Sequence, residues 1–206
     1  MGTPTDSSRT KSAIIEAAGQ LFAEKGFAGV TVREITKKAD ANLSALNYHF
    51  GSKEGLYREV ALDACRANSL TQQQKEQLLA LDPATALFVL VDDLIKEYRK
   101  QGSSNWRMVL VTRESRDPSF ACGDVVKEYA SAESAFIAEI IGRAVHKPPT
   151  DEQVRFAVVT MIALTETFGL YDQLVGSIAP ELDAYDKKNE MLAQKLVHLI
   201  LEAAGQ

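Results

Sequence analysis

The sequence predicts an all-α protein with about nine helices. Apolar residues recur at spacings of three and four along nearly every segment, as they do on one face of an α-helix. No stretch shows the convincing alternation of apolar and polar residues that indicates a strand. At 206 residues, the chain can bury a sizeable core in one large domain or in two small ones.

The first helix is predicted over residues 8 to 25. Ile14, Leu21 and Phe22 fall on one face of this helix, and Gly26 follows it. Because glycine accepts the backbone conformation that closes a helix, Gly26 is the predicted stop.

Two short helices follow. Thr31 precedes Glu34 by the three residues of a capping box, so a helix is predicted over residues 32 to 39. Asn42 is the predicted N-cap of the next helix, which Gly51 ends.

The remaining predicted helices are longer. Proline at the start of one of them suits the first turn, whereas the Pro-Pro pair in VHKPPTDE excludes a helix interior there. Their predicted ranges are 52–74, 83–100, 105–115, 119–144, 151–175 and 185–204.

Composition is that of a globular protein, with 46% hydrophobic and 25% charged residues. No apolar run approaches the roughly 18 residues that a membrane span needs, so no membrane partner is expected. The start of the chain, MGTPTDSSRTKS, lacks the apolar segment of a secretory signal. A cytoplasmic location is therefore expected.

The two cysteines, Cys65 and Cys122, do not have the CxxC spacing of a zinc or redox site. They are expected to be reduced and packed, since disulfides are rare in a cytoplasmic protein. A single sensing thiol at Cys122 remains an alternative.

Positive charge is relatively concentrated at the N-terminal end, although the net charge is −5. Up to residue 60 there are eight Lys and Arg against seven Asp and Glu, and after it fifteen against twenty-one. A small DNA-reading module attached to an acidic body would produce this asymmetry.

The three N-terminal helices, with a tight turn between the second and third, fit a helix-turn-helix unit. In such a unit the later helix enters the major groove. Leu46 and Phe50 of the third helix are four residues apart and are expected to point inward with Ile35 and Leu56.

The opposite arc of the third helix is expected to be exposed, and it carries Asn42, Leu43, Ser44, Asn47 and Tyr48. Asn and Ser side chains both donate and accept hydrogen bonds, which suits base edges. Tyr48 and His49 can hydrogen-bond phosphates, and Lys53 would add a cation. Two alternatives stay open: Asn42 only caps the helix, or Tyr48 only packs against the first helix.

The run AAGQLFAEKGFAGVTVREITKKADANLSALNYHFGSKEGLY resembles the N-terminal DNA-binding domain of the TetR family of transcriptional regulators (AcrR-like). The resemblance implies phosphate contact at Thr31, Tyr48 and Lys53, and base-edge readout from residues 42 to 48. Many members have Gly where Asp40 stands and Tyr where Asn47 stands. Asp tolerates a left-handed turn better than most residues.

NYHF and WRMVLVTRESRDPSF also look like the subgroup with the CerR-type C-terminal domain. The resemblance implies a helix-turn-helix domain at 8–57, a connecting helix at 58–74 and an effector-binding and dimerisation domain at 75–206. A two-fold dimer would place two recognition helices one turn apart on a palindromic site.

The last two predicted helices are the expected dimer seam, because VRFAVVTMIALTETFGLYDQLV is apolar around much of its circumference. A central core helix is the alternative for this segment. The candidate interface residues are Phe156, Val159, Leu196, Leu199 and Ile200.

An effector pocket is expected between the middle helices, since ligand sites combine apolar walls with a few polar groups. Arg113 and Glu114 could equally form an ordinary ion pair. The candidate pocket residues are Trp106, Arg113, Glu114, Phe120, Phe168 and Tyr171.

An enzyme is not expected, because GxGxxG, P-loop, GxSxG and HExxH patterns are absent and the only histidines are His49, His146 and His198. No metal or cofactor is expected either. The expected function is a homodimeric, ligand-responsive repressor that binds a palindromic double-stranded DNA operator and an unidentified small-molecule effector. The alternatives are a helical protein-interaction module whose helix-turn-helix does not bind DNA, and a transcriptional activator of the same fold.

Overall fold

The computed structural model describes residues 6–100, 105–180 and 187–205, which form eleven α-helices and no strand. The predicted all-α class is confirmed. The helices are α1 (Asp6–Lys25), α2 (Val32–Lys38), α3 (Leu43–Phe50), α4 (Lys53–Asn68), α5 (Gln72–Ala80), α6 (Pro83–Tyr98), α7 (Trp106–Arg116), α8 (Gly123–Val145), α9 (Glu152–Leu170), α10 (Asp172–Ile178) and α11 (Lys187–Ala203).

Two breaks divide helices that were predicted to be continuous. The fourth predicted helix ends at Asn68, and Thr71 starts α5 through a capping box with Gln74. The helix predicted over 151–175 breaks at Tyr171, whose backbone leaves the helical region at φ −108° and ψ 35°. Residue 185, the predicted start of the last helix, lies outside the described residues.

Unit 1 is a compact unit formed by the described residues within Met1–Ser69 and Gln101–Ala130. Its core is built around α1, α4 and α7, with α2 and α3 packed against α1. The Phe22 and Tyr57 rings meet edge to face at 4.6 Å between centroids. Ile14 of α1 and Leu110 of α7 are fully buried in the same cluster.

Unit 2 is formed by the described residues within Leu70–Lys100 and Ser131–Gln206, and α6, α9 and α11 pack against one another in it. These two packed units differ from the predicted domains 8–57 and 75–206, because α7 and the start of α8 pack with the N-terminal helices. At Gly169 of α9, an added Cβ would lie 2.3 Å from Cβ of Tyr98, so α6 and α9 approach closely.

By length and composition alone, α9 could cross a membrane, with 19 residues and a mean hydropathy of 1.2. The prediction that no apolar run approaches that length was therefore wrong for α9, the one such helix in the described ranges. A helix in the core of a globular domain meets the same criterion. Here α9 buries Val154, Ala157 and Met161 in the core of unit 2.

Candidate nucleic-acid interface

The orientation of α3 is fixed by its inward side chains. Leu46 and Phe50 of α3 are buried together with Ile35 of α2 and Leu56 of α4, as the sequence predicts. Between α2 and α3, Asp40 adopts the left-handed region with φ 48°, which aspartate tolerates better than most residues. These contacts turn the opposite arc of α3 toward solvent.

Both ends of α3 are capped as predicted. At the start, Oδ1 of Asn42 accepts a hydrogen bond from the Ala45 N–H at 2.7 Å. At the end, the Gly51 N–H donates to the Asn47 carbonyl at 3.0 Å, and Gly51 has φ 72° and ψ −53°. One acceptor position of the Asn42 carboxamide oxygen is therefore engaged in the cap, and the N–H groups of its NH₂ can still donate to a base.

The exposed arc of α3 consists of Leu43, Ser44, Asn47 and Tyr48. Leu43 is 56% exposed and Tyr48 is 82% exposed. At about 100° per residue, these four side chains span roughly 140° of the helix circumference. Among the described residues, the side chains of Ser44, Asn47 and Tyr48 have no protein hydrogen-bond partner. The arc therefore presents uncharged donors, acceptors and apolar surface.

Thr31, a predicted phosphate contact, caps α2. Its hydroxyl donates to Oε2 of Glu34 at 2.8 Å and accepts from the Glu34 N–H at 3.2 Å. Hydrogen bonds from the Thr31 backbone and from Lys25 lower the pKa of Glu34 to about 2. Glu34 therefore keeps its charge, and the Thr31 hydroxyl must exchange its partner to bind a phosphate.

Lys53 and His49 lie beside aromatic rings. The Lys53 Nζ is 4.3 Å from the centroid of the Phe27 ring, so this half-buried cation is held at the start of α4. The His49 ring is half-buried and lies 5.1 Å from the Tyr48 ring. Both residues follow the exposed arc of α3 in the sequence.

Three further cations on α2 were not singled out from the sequence. Arg33, Lys37 and Lys38 are exposed on this helix of seven residues. The signal that could have found them is the density of basic residues in VREITKK.

Four of the candidate pocket residues lie in unit 1. Trp106 is buried, and its Nε1 donates to Glu16 at 2.9 Å. Glu114 is buried and accepts a hydrogen bond from Tyr57 at 2.6 Å. The Arg113 guanidinium lies against Gly26. Its Nη1 is 2.6 Å from the position that a Cβ added to Gly26 would take. Phe120 is 82% exposed, and its ring lies 6.0 Å edge-on from the Phe27 ring.

The other two pocket candidates lie in unit 2. Phe168 is half-buried, and its carbonyl accepts a hydrogen bond from Nε of Arg99 at 3.2 Å. Tyr171 is exposed at the break between α9 and α10. Within the described ranges, no group of three or more His, Cys, Asp or Glu side chains could hold a metal ion.

The candidate interface residues divide into two sets. Phe156 and Val159 of α9 are each 62% exposed, and Leu199 of α11 is also exposed. Leu196 and Ile200 are instead buried in the core of unit 2. Only the exposed set can contact a second chain without repacking that core.

Family models match both parts of the chain. Residues 14–60 match the model of bacterial regulatory proteins of the tetR family. Residues 83–204 match the C-terminal domain of the HTH-type transcriptional dual regulator CecR. The predicted family is confirmed, and the model of the C-terminal domain is named for CecR rather than CerR.

Curated relatives match part of this chain. It is 42% identical over 82 residues to the "Probable HTH-type transcriptional regulator YttP" of Bacillus subtilis, covering 35% of this chain and 40% of YttP. It is 36% identical over 83 residues to the HTH-type transcriptional repressor NicS of Pseudomonas putida, covering 40% of this chain and 39% of NicS. The chain thus spans about two fifths of the length of these relatives.

Solved structures share the fold over nearly the whole chain. HlyIIR, a hemolysin II transcriptional regulator, superposes with a TM-score of 0.66 at 20% identity, covering 94% of this chain and 98% of HlyIIR. AibR, solved with isovaleryl coenzyme A and operator DNA, superposes with a TM-score of 0.65 at 15% identity, covering 92% of this chain and 97% of AibR.

Proposed function

Because this chain belongs to the TetR family of bacterial regulatory proteins and is a DNA-binding transcriptional regulator, we propose that it is a ligand-responsive repressor that binds a palindromic operator as a homodimer. It acts in the cytoplasm. Residues 8–57 form the DNA-binding domain, 75–206 form the effector-binding and dimerisation domain, and 58–74, which hold the end of α4 and the start of α5, connect the two. The repressor relative NicS supports the direction of regulation.

The observation that carries this proposal is the exposed arc of α3. Ser44 and Asn47 are polar, exposed and without a protein hydrogen-bond partner among the described residues, on a helix whose orientation the core fixes. Such side chains can donate to and accept from base edges in the major groove. Together with Asn42 and Leu43 they read the sequence.

Phosphate contacts position the reader without adding sequence information. Thr31, Tyr48, His49 and Lys53 have this role. Tyr48 is 82% exposed, and the ammonium of Lys53 lies beside the Phe27 ring at the start of α4, which supports this role. Lys53 supplies charge to the phosphate, whereas α3 itself carries no Lys, Arg, Asp or Glu.

A comparison of point variants tests the division between readers and phosphate contacts. Lys53→Ala weakens binding to all duplexes alike. It also makes the dependence of log affinity on log salt concentration less steep, by about 1. Ser44→Ala and Asn47→Ala instead change sequence preference, by about 1–3 kcal/mol at the affected base. Lys195→Ala, an exposed lysine of α11, is the matched control and leaves affinity unchanged.

Two results would refute the proposal at different levels. If neither Lys53→Ala nor Asn47→Ala changes binding to a selected site, the assigned face of α3 is not the DNA face. If the unaltered protein has no salt-dependent affinity for any duplex, the helix-turn-helix is a protein-interaction module instead.

The effector is an unidentified small molecule, and it favours a state in which the two readers do not fit the operator. The pocket candidates in unit 1 are Trp106, Arg113, Glu114 and Phe120, and those in unit 2 are Phe168 and Tyr171. Compounds are tested for release of a selected, labelled DNA fragment from the protein, and fluorescence anisotropy measures the release. A compound that releases the fragment is the effector. A reporter gene then tests repression against activation.

A further inference from the structure

Leu43 is the apolar member of the exposed arc of α3. It is the first residue of α3 and is 56% exposed, so it is not one of the buried residues that form the hydrophobic cluster of unit 1. An exposed leucine is ordinary on a protein surface when it stands alone. Here it stands at the N-terminal turn of the recognition helix, which is the part that contacts base edges in helix-turn-helix proteins.

Asn47 is the neighbour of Leu43 along the same arc. Residues four apart on a helix have their Cβ atoms about 5–6 Å apart. The two side chains therefore reach the same base pair or adjacent base pairs. The Asn47 carboxamide has no protein partner among the described residues and is free to form two hydrogen bonds.

The major groove offers different groups at each base pair. Thymine presents a C5-methyl group, which apolar side chains contact, and adenine presents N7 and N6–H₂, which Asn contacts with two hydrogen bonds. Guanine is most often read by Arg or Lys, and α3 has neither. The side chains of this arc thus match an A·T pair and lack the usual reader of guanine.

We infer that Leu43 contacts a thymine methyl group and Asn47 an adenine in each half-site, so that the operator carries A·T pairs under the N-terminal turn of α3. This inference rests on the proposed DNA-binding role of α3. It adds the base identity and the contacting group.

Replacing thymine by uracil tests the contact, because it removes only the methyl group. Duplexes bound by the unaltered protein are first selected from a random pool, and each thymine of the enriched half-site is then replaced by uracil. At one thymine position the dissociation constant rises by about threefold to tenfold, as expected for one lost apolar contact.

The Leu43→Ala variant supplies the double-mutant comparison. Its dissociation constant is insensitive, within about twofold, to uracil at the same position, because the leucine methyl groups that reach the thymine methyl are removed. Replacing the neighbouring adenine by 7-deazaadenine, which lacks the N7 acceptor, weakens binding by the unaltered protein but not by Asn47→Ala. Leu81→Ala, an exposed leucine of unit 2, keeps the full response to uracil.

The outcomes separate this inference from the proposed function. If a site is enriched but no uracil substitution changes the affinity, or if Leu43→Ala responds as strongly as the unaltered protein, the Leu43 contact is overturned and the regulator role stands. If no sequence is enriched at all, the proposed function fails and this inference fails with it. Thermal unfolding of Leu43→Ala confirms that the variant is folded.

Discussion

At the scale of single residues, the buried carboxylate of Glu114 joins three parts of unit 1. It accepts hydrogen bonds from Oη of Tyr57 at 2.6 Å, from the Ser119 N–H at 2.9 Å and from Sγ of Cys122 at 3.2 Å. Burial alone would raise the pKa of Glu114, but these hydrogen bonds outweigh it and lower the pKa below its ordinary value. The ionised carboxylate of Glu114 therefore connects α4, α7 and the loop before α8 through hydrogen bonds.

Removing the Tyr57 hydroxyl tests how much its hydrogen bond to Glu114 contributes to the free energy of unfolding. Tyr57→Phe lowers the free energy of unfolding by about 1.5–3 kcal/mol, because a buried carboxylate loses a donor. Tyr48→Phe is the control, since the Tyr48 hydroxyl is exposed. Urea unfolding measures both variants. Equal stability of the two would show that the Tyr57 hydroxyl contributes nothing to folding.

The depressed pKa of Glu114 also predicts a pH dependence. A carboxylate with a lowered folded-state pKa contributes stability above its ordinary pKa, and that stability is lost as pH falls through the folded-state pKa. Glu114→Gln therefore loses less stability than the unaltered protein between pH 7 and about pH 3. The measurement is the unfolding free energy of both proteins across this pH range. If the two curves of free energy against pH are parallel, the prediction is wrong.

At the scale of elements, the helix ends that carry a side-chain cap or a closing glycine at α2 and α3 were predictable from the sequence. Thr31 and Asn42 cap α2 and α3 as their spacing predicts, because a cap needs only residues within one turn. The same local chemistry operates at Thr71, where the capping box with Gln74 starts a new helix inside a run that the sequence predicts to be one helix. The break at Tyr171 has no comparable signal in the sequence.

Gly51 is the sharpest test of an element boundary. A Cβ at this position would meet nothing within 4 Å, so Gly51→Ala is disfavoured by the backbone angles alone. We expect a loss of about 1–3 kcal/mol in unfolding free energy. Asp40→Gly is the matched change, because Asp40 also has positive φ, and it leaves stability unchanged or raises it by up to about 1 kcal/mol. A neutral Gly51→Ala would mean that the turn relaxes.

At the scale of the whole molecule, the proposed homodimer depends on apolar side chains that unit 2 leaves exposed. Phe156 and Val159 lie three residues apart on α9, and Leu199 is exposed on α11. Their burial against a second chain would stabilise the dimer by the hydrophobic effect. Leu196 and Ile200 contribute to the core on which these helices depend.

Charge substitution on α9 tests the dimer. Phe156→Lys combined with Val159→Lys shifts the protein to monomer, because two cations would be buried without partners. Sedimentation velocity measures the shift, and the affinity for the selected operator falls with it. Leu81→Lys, also at an exposed leucine, leaves the assembly unchanged. A dimer that survives the double substitution would place the seam elsewhere.

The sequence by itself determined the helical class, the caps of α2 and α3, and the arc of α3 that faces solvent. These features depend on spacing within a few residues, which periodicity and capping chemistry report directly. Only the tertiary structure decided the hydrogen bonds of Trp106 to Glu16 and of Tyr57 to Glu114. It also decided that Leu196 and Ile200 are core residues. Periodicity marks an apolar face, but the element that covers it comes from distant parts of the chain.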